Sequence, residues 1–163
     1  MPTKIKKLLL VANNGGHLLQ LCHLQNVWKS YDRIWVTGNK QDAGTLLSTE
    51  KIYYAHFPTD RNIKNLIKNC FLALRIILME NPDWVVSTGA AMAVPFCYMA
   101  KLFGKRVMYI ESFAKINSPN LSGKLIYPIA NVFFVQWREL QTIYPKAIYA
   151  GTVYDDILNC RPS

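Results

Sequence analysis

Apolar residues along this chain gather in short unbroken runs, and the segments between the runs carry a helical period. The first run, "IKKLLLVA" from Ile5 to Ala12, is continuous and apolar in the manner of a parallel strand buried on both faces. Further strand-like runs follow at "RIWVT", "KIYYAHF", "DWVVST", "RVMYIES" and "NVFFVQ", with a last short one at "AIYAG". Alternation of strands with helical segments predicts an α/β fold, a doubly wound parallel sheet with helices on both faces. No repeat, low-complexity tract or linker interrupts the pattern, so residues 1–163 read as one domain.

Between the third and fourth runs, "RNIKNLIKNCFLALRIILMENP" from Arg61 to Pro82 predicts a long helix stopped by proline. Ile63, Leu66, Ile67, Cys70, Leu74, Ile77 and Leu78 form one stripe, expected to face the core. Lys64, Lys68 and Arg75 share another face, where Phe71, Leu72, Ile76 and Met79 widen the apolar surface beyond an ordinary stripe. A basic helix with surplus apolar surface suits an anionic membrane interface; contact with protein is the alternative, and either reading has this face covered. Residues 84–100 are uncharged, but Ser87, Thr88, Gly89 and Pro95 break them, and they fall short of the ~18 to 20 apolar residues of a membrane span. The apolar run after Lys7 ends at Asn13, shorter than the ~7 to 15 residues of a secretory core segment.

Ligands of open α/β sheets bind at the carboxyl ends of the strands. Three polar or glycine-rich segments fall there: "NNGGH" after the first strand, "STGAA" after the fourth and "ESFAK" after the fifth. After Gly15 and Gly16, Leu18, Leu21 and Leu24 recur at helical spacing, so the glycines sit at a helix start. Unpaired peptide N–H groups there make an anion seat, with phosphate the natural occupant; a tight turn without a ligand is the alternative. The adjacent glycines do not fit the G-x-G-x-x-G dinucleotide pattern, no acid closes "RIWVTG", and no Lys-Ser or Lys-Thr makes a Walker loop.

Composition narrows the ligand class. A hydrophobic share of 51% supports a full core, and a net charge of +9 with pI near 9.5 calls for an anionic partner. Nucleic acid is disfavoured, because the aromatic residues fall mostly in strands, where they belong to the core. Cys22, Cys70, Cys97 and Cys160 are widely spaced, which indicates neither zinc nor a disulfide framework and fits a reducing cytoplasm. Asp155 and Asp156 are adjacent, not an Asp-x-Asp pair, so no metal site is expected.

The stretch from Val85 to Leu140, with "STGA", "IES", "LSGKLIYP" and "VQW" in order after the "GGH" loop, resembles the asparagine-linked-glycosylation-fourteen-like family. These are membrane-side acceptor subunits of split UDP-sugar transferases, with relatives in bacterial capsule and exopolysaccharide synthesis. The resemblance covers about residues 5–151. It extends to the amino-terminal half of the transferase that adds N-acetylglucosamine to lipid-linked peptidoglycan precursor. It implies a Rossmann-like domain equivalent to the N-terminal half of a GT-B glycosyltransferase, inactive alone, with the UDP-sugar site on a second chain. A non-catalytic recruiting subunit is the alternative.

On that resemblance, Asn14, Gly15, Gly16, Ser87, Thr88 and Gly89 face the diphosphate of a polyprenyl-linked saccharide, with Lys115 and Lys124 adding charge. Lys64, Lys68, Leu72 and Arg75 then meet the cytoplasmic face of the membrane, where the protein is peripheral. No cofactor is implied. The reaction needs a general base for the acceptor hydroxyl. His17 and Glu111 are the candidates on this edge; capping for His17, an ion pair with Lys115 for Glu111, and a base on the second chain are the alternatives. Trp137 is expected to pack at a strand end, and His23 and His56 take no role. Ile148, Val153, Tyr154, Ile157 and Leu158 are candidates for docking the second chain or for packing on their own domain.

Overall fold

The computed structural model describes residues 6–59 and 61–155. Seven strands occur at the expected places: β1 Lys7–Val11, β2 Asp32–Thr37, β3 Ile52–Tyr54, β4 Trp84–Ser87, β5 Arg106–Ile110, β6 Val132–Val135 and β7 Ile148–Tyr149. They form one sheet in the order β3-β2-β1-β4-β5-β6-β7, every neighbouring pair parallel. The third run, expected as "KIYYAHF", is a strand over only three residues.

Side chains alternate across each strand and build a core on either face. Leu8 and Leu10 pack with Leu18, Leu21, Trp28 and Ala43 from helices α1 (Gly16–His23), α2 (Gln25–Trp28) and α3 (Gln41–Leu46). Leu9 and Val11 pack on the other face with residues of α4 (Ile63–Glu80), α5 (Ala93–Leu102) and α6 (Leu121–Ile126). The crossover direction reverses between β1 and β4, so the loops after these two strands stand side by side at a topological switch point.

Helix α4 corrects the expected stripe. Its buried residues are Asn69, Ala73, Ile76, Ile77 and Glu80, whereas Ile63, Leu66, Ile67 and Leu78 are exposed. Two polar residues explain the rotation. Asn69 accepts from the His56 N–H at 2.8 Å and donates to the His56 carbonyl at 3.0 Å, and Glu80 binds Lys51 and Tyr53, each at 2.5 Å. A helix apolar nearly all round has no unique core face by period alone, and these bonds choose one. The outer face carries Lys64, Lys68, Ile67, Phe71, Arg75 and Met79, all exposed, with Leu72 half-buried. The helix ends at Asn81, in the left-handed conformation at φ 47, immediately before Pro82.

Candidate functional site

The site begins with the loop after β1. Gly15, at φ 78 and ψ −136, caps α1 in a conformation that side chains with a Cβ rarely adopt. Among the described residues nothing accepts from the N–H groups of Gly16 and His17, the unpaired donors of a helix start. Gly16 has no positive φ, and a Cβ there would meet nothing within 4 Å. This fold therefore does not require glycine at position 16, and the space in front of the loop is open.

Across the switch point stands the loop after β4. His17 and Thr88 join the two loops reciprocally: the His17 ring Nδ1 lies 2.8 Å from the Thr88 carbonyl, and the Thr88 hydroxyl donates to the His17 carbonyl at 2.7 Å. A carbonyl only accepts, so Nδ1 carries the proton in the neutral ring and Nε2 keeps its lone pair. Burial holds the His17 pKa below the ordinary 6.5, against the upward pull of the Thr88 carbonyl. Gly89, at φ 118, makes the approach possible, since a Cβ there would lie 2.9 Å from His17 Cε1. Ser87 and Thr88 are fully buried; the Ser87 hydroxyl accepts from the Gly89 N–H at 3.1 Å. Their side chains shape the loop and present no hydroxyl at the surface.

Glu111 follows β5 and is also fully buried. It accepts from the Ser112 N–H at 3.0 Å, the Asn120 amide at 2.6 Å and the Tyr144 hydroxyl at 3.2 Å. Asn120 in turn caps α6 by accepting from the Gly123 N–H at 2.5 Å. A Cβ at Gly123 would collide with the Glu111 carboxylate, so the first turn of α6 closes over this group. Burial pushes the Glu111 pKa up, opposed by its hydrogen bonds and by the Lys115 charge. Lys115 is half-buried and makes no ion pair with Glu111 within 4.0 Å, and Lys124 is exposed on α6.

Further side chains tie this edge together. Asn14 donates to the Gly38 carbonyl at 3.1 Å and to Asp42, in α3, at 2.9 Å. Gln20 of α1 accepts from the Phe113 N–H at 3.0 Å and from Gln136 at 2.9 Å, which locks α1 to the ends of β5 and β6. The readable signals were a polar residue inside the Leu18–Leu21 stripe, for Gln20, and a cap residue three places before Gly123, for Asn120.

The docking candidates divide. Ile148 is exposed, and Ile157 and Leu158 lie outside the described residues. Val153 and Tyr154 pack on their own domain: the Val153 N–H donates to Gln136 at 2.9 Å, and the Tyr154 ring meets Phe113 and His23 edge-on at 4.9 and 5.1 Å. Trp137 stands at the end of β6 and donates to the Phe113 carbonyl at 2.7 Å. Among the described residues there is no cluster of metal-ligating side chains, and no helix is long and apolar enough to cross a membrane.

A parallel doubly wound sheet with glycine loops meeting at the switch point is a Rossmann-like fold, equivalent to one half of a GT-B glycosyltransferase or a related two-domain enzyme. MurG of Acinetobacter baumannii superposes with TM-score 0.70 at 18% identity, covering 90% of this chain and 44% of that one. A UDP-N-acetylglucosamine 2-epimerase superposes at 0.76 and 14% identity, covering 96% of this chain and 51% of that one. This chain thus spans about half the length of these solved structures. Residues 8–153 match the family model "Oligosaccharide biosynthesis protein Alg14 like", and the chain belongs to that family. Among its relatives, the UDP-N-acetylglucosamine transferase subunit alg14 of Schizosaccharomyces pombe is 42% identical over 91% of this chain and 83% of its own length. The mouse subunit of the same name is 26% identical over 93% of this chain and 85% of its own.

Proposed function

We propose that this chain is the acceptor-binding, membrane-associating subunit of a two-chain UDP-sugar glycosyltransferase that extends a polyprenyl-diphosphate-linked saccharide. One observation carries the reading: a neutral His17, its Nδ1 tied to Thr88, stands between two glycine loops with Nε2 free to accept a proton. The acceptor diphosphate is received by the Gly16 and His17 N–H groups, with Lys115 and Lys124 supplying charge. Nε2 of His17 takes the proton of the acceptor hydroxyl as its oxygen bonds to the anomeric carbon, and the bond from that carbon to UDP breaks. Glu111, enclosed under α6, holds the loop from Ser112 to Asn120 and touches no reactant. The relatives named as transferase subunits, and the half-length match to two-domain enzymes, support a second chain that brings the UDP-sugar.

The membrane contact is the outer face of α4. Ile63, Leu66, Ile67 and Phe71 are exposed beside Lys64 and Lys68, and the helix begins at the carboxyl edge that carries the site. Such a placement keeps the lipid tail of the acceptor in the bilayer while its diphosphate reaches the loops. The test is reconstitution with the candidate partner transferase on liposomes containing a lipid-linked acceptor. Transfer that requires both chains supports the reading. Full turnover by the partner alone reduces this chain to a recruiter, and transfer by this chain alone refutes the two-chain division.

A further inference from the structure

Asp42 lies outside the glycine loops, in the short helix after β2, yet its carboxylate is built into the first of them. Oδ2 accepts from the Gly15 N–H at 2.8 Å, and Oδ1 accepts from the Asn14 amide at 2.9 Å and from the Ala43 N–H at 2.9 Å. Asn14 also holds the Gly38 carbonyl, so one carboxylate ties the loop after β1 to the loop after β2. Gly15 sits at φ 78 with no heavy atom within 4 Å of where a Cβ would be, so no packed side chain holds its backbone. The bond to Asp42 holds its N–H, and the Leu19 N–H holds its carbonyl at 3.0 Å. Burial alone would push the Asp42 pKa up, but the N–H groups of Gly15 and Ala43 and the Asn14 amide leave it below the ordinary 3.8, and the group is ionised at neutral pH.

The arrangement sorts the donors of this helix start. Gly15 spends its N–H on Asp42, while the N–H groups of Gly16 and His17, one and two residues on, remain unpaired among the described residues. We propose that Asp42 is a positioning residue for the diphosphate seat: it braces Asn14 and Gly15 so that Gly16 and His17 present the two donors that receive the ligand. The inference rests on the reading of this loop as the diphosphate site. The rival role for the same geometry is a plug, in which the carboxylate occupies a place the ligand must win. The two differ in sign: removing a brace weakens anion binding, and removing a plug strengthens it.

The experiment titrates the full chain with farnesyl diphosphate, a minimal lipid diphosphate, and follows the backbone amide signals of Gly15, Gly16 and His17 by NMR. Wild-type protein should show saturable shifts at Gly16 and His17. Asp42→Ala, folded by circular dichroism, should bind on the order of 10-fold more weakly, the loss expected for a hydrogen bond to a charged group. Asp42→Asn should recover part of that loss, since its remaining carbonyl oxygen can still accept from Gly15. Asn14→Ala combined with Asp42→Ala should cost less than the sum of the two, because both act through one brace. Should Asp42→Ala fail to fold, Asp42→Asn and Asn14→Ala carry the same comparison. Equal or tighter binding by folded Asp42 variants, with the wild type binding normally, overturns the brace and leaves the site reading intact. No shift at Gly16 or His17 in the wild type overturns the site reading, and the role of Asp42 falls with it.

Discussion

His17 and Thr88 hold each other by two hydrogen bonds, ring nitrogen to carbonyl and hydroxyl to carbonyl, across the point where the strand order reverses. One bond orients the imidazole and sets its tautomer; the other fixes the backbone that carries it. The histidine thus belongs to both glycine loops.

A general base in this position predicts a loss in kcat on the order of 10²-fold or more for His17→Ala in the two-chain reaction. The group must be neutral to act. Because burial lowers its pKa from 6.5, activity should hold as pH falls past 6.5 and decline only at lower pH. Steady-state kinetics from pH 8 down to the acid limit of the folded complex checks this; an activity that already declines above pH 6.5 would place the base elsewhere.

Gly16 and Gly89 should fail for different reasons. Gly16→Val adds a side chain in open space, so the protein should melt at the wild-type temperature while transfer is lost, because the added bulk fills the ligand's path. Gly89→Ala drives a Cβ against the His17 ring in a backbone conformation at φ 118, so both melting temperature and kcat should fall. Undiminished transfer by a folded Gly16→Val protein removes the loop from the site.

Glu111→Gln separates a structural carboxylate from a catalytic one. Glutamine can accept from Ser112 and Asn120 and donate to the Tyr144 oxygen, so every bond has a replacement. Transfer should stay within a few-fold of wild type. Folding raises the Glu111 pKa, so this group favours the fold at low pH and loses that contribution as pH rises from 4.5 through the raised value. The variant should lack this titration and be at least as stable at pH 7. A loss of kcat comparable to that of His17→Ala would return Glu111 to the chemistry.

At the opposite edge, Glu80 works in the other direction. Its hydrogen bonds from Lys51 and Tyr53, and a further one from Lys7 at 3.3 Å, lower its pKa to about 2. Its contribution is present above 4.5 and is lost as pH falls toward 2. Glu80→Ala should destabilise the fold at pH 7 by removing the bonds from Lys7, Lys51 and Tyr53, and the deficit should shrink in acid. Urea unfolding at pH 7 and pH 3 tests the sign.

The proposed membrane face of α4 should respond to charge. Lys64 and Lys68 beside an anionic surface contribute about 1 kcal/mol each, a term that salt screens. The Lys64→Glu, Lys68→Glu double variant should float poorly with anionic liposomes at low salt and leave the melting temperature unchanged, since both side chains are exposed. Equal flotation with neutral liposomes assigns the face to apolar contact alone, and none with either assigns it to protein.

Some of this was determined by the sequence alone. Seven apolar runs separated by helical segments specify a parallel sheet, because strands covered on both faces need continuous hydrophobicity and parallel neighbours need crossovers. The two glycine loops were legible for a similar reason: each follows a strand, and in a doubly wound sheet that places them on one edge. The rotation of α4 was not legible, since a helix apolar on several sides gives its period no single answer, and Asn69 and Glu80 turned inward only because His56, Lys51 and Tyr53 were there to bond them. Glu111 shows the same limit, its place on the binding edge being readable while its enclosure by Asn120, Gly123 and Tyr144 was not. Asp42 was invisible, one acid in a surface helix, until the fold brought it 2.8 Å from the Gly15 N–H. Local periodicity records which residues must be buried or must turn, whereas long-range hydrogen bonds between side chains follow no spacing, and only the packed chain decides them.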